Sequence, residues 1–259
     1  MKYFEFGQQN ETLMVLLHGG GVCYRGVLPV AERLSRDFHV IVVAYDGFNP
    51  TEPDTVFVSV MDEAKRLGDY IVEHHGGKID ILYALSYGCR VLLEMLADEL
   101  EFKVCMFVGS HSPAAQLIKE IVCKANGMEP PHALTRGSVS GDFHGMRVIT
   151  CSSLDYNIGY IMDHCAKNGL PKPYHGGVWE MALNYAINPD YYHPEYLDET
   201  KYPQHYGALR DYYTPESRRP AKKEFELFTP EYAKEIREIT IQGIVDDVLK
   251  NYKEVTEGK

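Results

Sequence analysis

Four short apolar runs punctuate the first 110 positions of the chain: Thr12–Leu17, His39–Tyr45, Ile79–Ala84 and Lys103–Val108. Each is continuous rather than alternating, as expected for a strand covered on both faces of a sheet. Lys2–Phe6 alternates instead, like a half-buried strand, and Gly7 to Asn10 reads as a turn. Between the runs the apolar spacing changes to 3.6, over Leu28–Leu34, Val58–Val72 and Tyr87–Leu96. Strands that alternate with helices predict an α/β fold with a mostly parallel sheet, right-handed crossovers and helices on both faces.

The rhythm breaks at residues 110–145. A helical piece, Ala114–Ala125, is followed by Gly127, Pro130-Pro131 and a polar Gly/Ser stretch to Gly145. This reads as a cap insertion over one sheet edge. A strand returns at Met146–Cys151, then a helix at Asn157–Asn168, a short strand at Pro171–Tyr174 and a helix at Trp179–Ala186. From Asn188 the composition shifts to tyrosines set among prolines and charges without a period. We therefore divide the chain into residues 1–187 and a tyrosine-rich extension, 188–259. Thr229-Pro230 is a good N-cap and first-turn pair for a last helix. Ile241, Ile244, Val245, Val248, Leu249 and Tyr252 share one face of that helix, and Lys223–Phe228 alternates like an edge strand. An apolar face must be covered, either by the chain's own domain or by a second copy. A homodimer built partly from this extension is expected.

Composition narrows the function. A net charge of −11 argues against nucleic acid, which is bound through basic patches that displace counterions. No stretch approaches the roughly 18 apolar residues of a membrane span, and the N-terminus lacks the apolar run of a signal peptide. The six cysteines (23, 89, 105, 123, 151 and 165) show no CxxC spacing, which suits reduced, buried thiols and a cytoplasmic protein. His74-His75 before Gly76-Gly77 has no further metal ligand at a fitting spacing and reads as a solvated helix end.

Two segments carry chemistry. Ser86 sits between the third buried run and a helix, in Ala84-Leu-Ser86-Tyr-Gly88. A serine on such a strand–turn–helix elbow needs small flanking residues, here Ala84 and Gly88, and places the next amide, that of Tyr87, at the start of a helix. The plainer role for such a serine is helix capping. The second segment is His18-Gly19-Gly20-Gly21, directly after the first buried run. Glycines let main-chain amides turn toward a ligand. A tetrahedral oxyanion needs two such donors, one from Gly20 or Gly21 and one from Tyr87. His18 itself reads as structural.

Together these segments resemble the α/β-hydrolase serine esterases and lipases, with H-G-G-G preceding the nucleophile elbow, although Ala84 stands where G-x-S-x-G has its first glycine. The resemblance covers roughly residues 1–187 and implies the α/β-hydrolase fold with Ser86 as nucleophile. It also implies an acid and then a histidine later in the chain. Ser152-Ser-Leu-Asp155 is similar to the family's acid-bearing turn after a strand, which makes Asp155 the acid; its other role would be an N-cap. Tyr174-His175-Gly-Gly-Val-Trp179 resembles the family's histidine loop, with Tyr174 in place of glycine, and makes His175 the base. The two lie 20 positions apart (175 − 155), a short interval for the family. His111, His144, His164, His193 and His205 compete for the role of base, and His111 is also expected to line the pocket. Asp46-Gly47 resembles a structural turn of the family. The expected activity is hydrolysis of small carboxylic esters with no metal or organic cofactor. The rival expectation is a hydrolase-fold protein that binds a small ligand or partner with little or no catalysis.

Overall fold

A computed structural model describes residues 1–20, 23–108, 113–129, 139–151, 161–169, 178–187, 189–191 and 229–258. The chain divides into two units, one of Met1–Asn157 with Gly243–Lys259, the other of Ile158–Gln242. The end of the chain thus belongs to the first unit.

The first unit is built on seven strands: β1 (Lys2–Phe6), β2 (Leu13–Leu17), β3 (His39–Ala44), β4 (Lys78–Leu85), β5 (Glu101–Val108), β6 (Val139–Phe143) and β7 (Met146–Cys151). Their order is β1-β3-β2-β4-β5-β7-β6. The five central strands run parallel, while β1 and β6 flank them antiparallel, β1 pairing Phe6 with Val40 and Lys2 with Ala44. This is the mostly parallel sheet that the alternation of strands and helices predicts, and the apolar runs form its inner strands, buried on both faces.

Helices α1 (Leu28–Leu34), α2 (Val60–His75), α3 (Gly88–Met95) and α4 (Pro113–Ala125) connect the strands. Their boundaries follow local chemistry. Ser59 Oγ accepts the Asp62 amide at 3.0 Å to start α2, and Gly76 ends it in the left-handed conformation at φ 63°. On one face of the sheet Val15 and Leu17 pack in one cluster with Ala64, Leu67 and Ile71 of α2 and with Cys89, Leu92 and Met95 of α3. Burial of this kind contributes roughly 1.5–3 kcal/mol for each large apolar side chain.

Residues 139–143, expected within a cap, are instead a strand of the sheet. His144 and Gly145, both at positive φ (50° and 81°), make a two-residue turn into β7. Such turns match the twist of a hairpin, and glycine suits the second position. The edge is closed by Asn126 from the end of α4: its Oδ1 accepts from the Asp142 amide at 3.1 Å and its Nδ2 donates to the Asp142 carbonyl at 2.9 Å. The strand is hidden in the sequence because Ser140, Gly141 and Asp142 look like loop residues, while Val139, Gly141 and the half-buried Phe143 share the inward face.

The second unit contains helical residues 161–167 (α5), α6 (Val178–Ile187) and the first part of α7 (Pro230–Glu257). Thr229 Oγ1 caps α7 by accepting the Tyr232 amide at 3.1 Å. The later turns of α7 belong to the first unit, where the Tyr252 ring meets Phe38 edge-on at 5.3 Å. Val245 and Val248 are buried, so this stretch of the apolar face is covered by the chain itself rather than by a second copy. The expected strands 171–174 and 223–228 lie outside the described residues.

Candidate active site

Ser86 stands between the end of β4 at Leu85 and the start of α3 at Gly88. Its φ is 49°, in the left-handed region that residues with a Cβ avoid, yet its side chain is exposed. Strain of about 1–3 kcal/mol persists only where the surroundings over-determine it. Here they do. The Ser86 amide donates to the Val108 carbonyl at 2.7 Å, and its carbonyl accepts from the Cys89 amide at 3.1 Å. The Cys89 thiol donates to the Ala84 carbonyl at 3.2 Å. Burial pushes that thiol up to about 12, so Cys89 braces the turn and stays protonated.

The small flanking residues have a direct packing cause. Ala84 is wholly buried between Leu17 of β2 and Phe107 of β5. A Cβ on Gly88 would lie 2.9 Å from both the Cβ and the carbonyl oxygen of Leu17, and 3.0 Å from the His18 oxygen. Backbone cannot yield cheaply at such distances. Gly88→Ala is therefore expected to push the elbow away from β2 and to lower stability by about 1–3 kcal/mol. Thermal unfolding of the variant checks this, and an unchanged midpoint would show that the elbow can move freely.

The His18-Gly19-Gly20 segment passes alongside this elbow. A Cβ on Gly19 would sit 3.3 Å from the Ser86 Cβ, and one on Gly20 would sit 3.3 Å from the Tyr87 Cβ. His18 is fully buried, and its Nδ1 lies 2.8 Å from the Gly19 carbonyl oxygen. Burial holds its pKa below the ordinary histidine value, so the ring is neutral and Nδ1–H donates to that carbonyl. Carbonyl and amide point oppositely across a planar trans peptide, so fixing the Gly19 oxygen also fixes the Gly20 N–H. The Tyr87 amide lies at the N-terminus of α3, where no intrahelical acceptor exists and the helix dipole is positive. Gly20 is exposed and Tyr87 half-buried, and the two segments that carry these amides meet at Ser86, donors of the kind that can serve an anion.

An aromatic group borders the same place. Tyr87 packs against Phe57 (5.8 Å between ring centres) and Phe48 (6.2 Å), and Phe48 meets Phe57 edge-on at 5.7 Å. Both phenylalanines come from the segment after β3, which begins with the Asp46-Gly47 turn. Nothing in a local pattern marks them, because the three rings are brought together by folding alone.

Behind that segment Asp46 is ion-paired with Arg66 and with the Met1 amine, and Glu63 is fully buried. Burial, and then the charge of Asp46, push the Glu63 carboxyl up to about 7, against the opposing pull of the Met1 amine and Arg66. The folded state therefore keeps a proton that the unfolded chain releases, and stability falls as pH rises from about 4.5 to about 7, then levels. Glu63→Gln is expected to remove up to about 3 kcal/mol of this decline. Urea midpoints at pH 5 and pH 8, compared with wild type, measure it. Parallel pH dependence in both proteins would contradict the assignment.

Of the residues expected at the site, the structure brings Ser86, Tyr87 and Gly20 together. Gly21, His111, Asp155 and His175 lie outside the described residues. Among the described residues Cys89, Cys105, Cys123 and Cys165 are buried and Cys23 is half-buried. Among the described residues no cluster of metal-ligating side chains occurs, and no helix is long and apolar enough to cross a membrane.

The family model described as "Alpha/beta hydrolase family" matches residues 14–225. No curated protein matches the chain in sequence. Among solved structures, an alpha/beta hydrolase family protein from Desulfitobacterium hafniense is 18% identical at a TM-score of 0.40, the match covering 64% of this chain and 62% of that one. A thermophilic esterase from Thermogutta terrifontis is 21% identical at 0.37, covering 50% and 49%. A lipase-esterase related protein from Clostridium acetobutylicum is 16% identical at 0.36, covering 42% and 46%. The chain thus spans less than two thirds of the length of each of these three.

Proposed function

The chain belongs to the alpha/beta hydrolase family, and from that premise we propose that it is a serine hydrolase of small carboxylic esters that acts through an acyl-enzyme on Ser86. One observation carries the reading: an exposed serine held at φ 49° on a strand-to-helix turn, with two backbone amides beside it. A capping serine needs no such strain, since N-caps sit in extended backbone.

In the proposed reaction His175 takes the Ser86 proton as Oγ attacks the ester carbon, and Asp155 keeps the imidazole in the required tautomer. The Gly20 and Tyr87 amides hold the oxyanion, with Gly21 as the alternative donor on the loop. The tetrahedral adduct expels the alcohol, which leaves with the proton held by His175. A water, deprotonated by the same histidine, then attacks the acyl-enzyme and releases the acid, restoring the Ser86 hydroxyl. His111 is proposed to line the pocket. Neither half-reaction requires a metal or organic cofactor.

The test is a fluorophosphonate probe, which phosphonylates only an activated serine. Mapping the adduct to Ser86 supports the reading. A native, folded protein that stays unlabelled at Ser86 would favour a binding protein on the same fold instead.

A further inference from the structure

We propose that Phe48, Phe57 and Tyr87 form a subsite for an aromatic group of the substrate, an inference that rests on the ester-hydrolase reading of Ser86. Tyr87 follows the nucleophile directly, and Gly20 abuts its ring, a Cβ there falling 3.6 Å from the Tyr87 Cγ. The aromatic group therefore begins one residue from the reacting atom.

The three rings are only half-buried, so faces and edges stay open to a ligand. Their back is closed: Phe48 lies 6.3 Å from the buried His18 ring and 6.4 Å from the buried Tyr45 ring. The phenylalanines are also held in place. Gly47, at φ 75°, packs so closely that a Cβ there would meet the Phe57 nitrogen at 3.0 Å. Its amide donates to Thr55 Oγ1 at 3.0 Å, and Thr55 Oγ1 donates onward to the Glu52 carbonyl at 2.8 Å. The nearly buried Asn49 accepts from the Thr51 amide at 3.0 Å. The Arg90 guanidinium also stacks on Tyr87, 5.8 Å from its centre.

Rings crossed at 88° and 65° offer edge-to-face contacts to a further ring, contacts that a saturated group of equal size cannot make. Such contacts are worth up to about tenfold in affinity. An aryl ester is thus preferred over its cyclohexyl counterpart, and matched pairs locate the ring. Benzyl acetate against cyclohexylmethyl acetate probes the alcohol side. Methyl phenylacetate against methyl cyclohexylacetate probes the acyl side.

The quantity read is the ratio of kcat/KM within each pair, which cancels any general loss of activity. Wild type is expected to favour the aryl member of one pair by about tenfold. Phe57→Leu and Phe48→Leu keep apolar volume but remove a ring, and should bring that ratio toward one. Ratios near one in wild type, or an unchanged preference in both leucine variants, with Ser86 still labelled by a small methylphosphonate probe, overturn the subsite alone. Absence of labelling and of turnover for all four esters overturns the ester-hydrolase reading, and the subsite with it.

Discussion

Ser86→Ala is expected to lower turnover of short nitrophenyl esters by about 10⁴-fold or more, because the oxyanion donors and binding contacts that remain cannot replace the nucleophile. The protein should still fold, since the hydroxyl removed is exposed. Ser86→Gly separates chemistry from strain. It is equally inactive, but at φ 49° it relieves a conformation that residues with a Cβ resist, and its unfolding free energy should rise by about 1 kcal/mol. Steady-state rates and thermal unfolding on the same three proteins give both readings. Near wild-type turnover in Ser86→Ala would refute the mechanism. A glycine variant less stable than the alanine one would show that the turn is unstrained.

The central sheet and the elbow were legible because their signals are local. The apolar runs at 12–17, 39–45 and 79–84 call for burial on both faces, and strands β2, β3 and β4 fall on them. Ala84 and Gly88 announce a tight approach of backbone to backbone, and Leu17 is the residue they approach. Strand β6 was not legible, because an edge strand buries only alternate residues and two of its five are Ser140 and Asp142. The turn that joins it to β7 depends on His144 taking positive φ, which histidine does less readily than asparagine or glycine. Part of the site was hidden for a different reason. His18 acts through one hydrogen bond to the next residue's carbonyl, and a spacing pattern carries no peptide orientation. Phe48 and Phe57 meet Tyr87 across 39 and 30 positions of chain, and no period links them. Composition changes near 188, but it does not show where the last helix packs; the later turns of α7 meet Phe38.

His175→Ala and Asp155→Asn are expected to cut turnover nearly as far as Ser86→Ala. Serine is weakly nucleophilic until a base removes its proton, so loss of the base removes most of the value of the elbow. Asp155→Asn keeps shape but no longer favours the imidazole tautomer that accepts the serine proton, a change that costs about 10⁴-fold in a comparable triad. The decisive measurement is the double variant. If the three side chains act as one unit, Ser86→Ala combined with His175→Ala is hardly worse than Ser86→Ala alone, and the separate losses fail to add. The pH profile supplies an independent check, because only neutral imidazole can act as base: wild-type kcat/KM should rise with pH as the histidine loses its proton and then level. An active His175→Ala enzyme, set beside an inactive His111→Ala or His205→Ala one, would move the base to that residue. Additive losses would separate His175 from the serine altogether and leave Ser86 served by another proton acceptor.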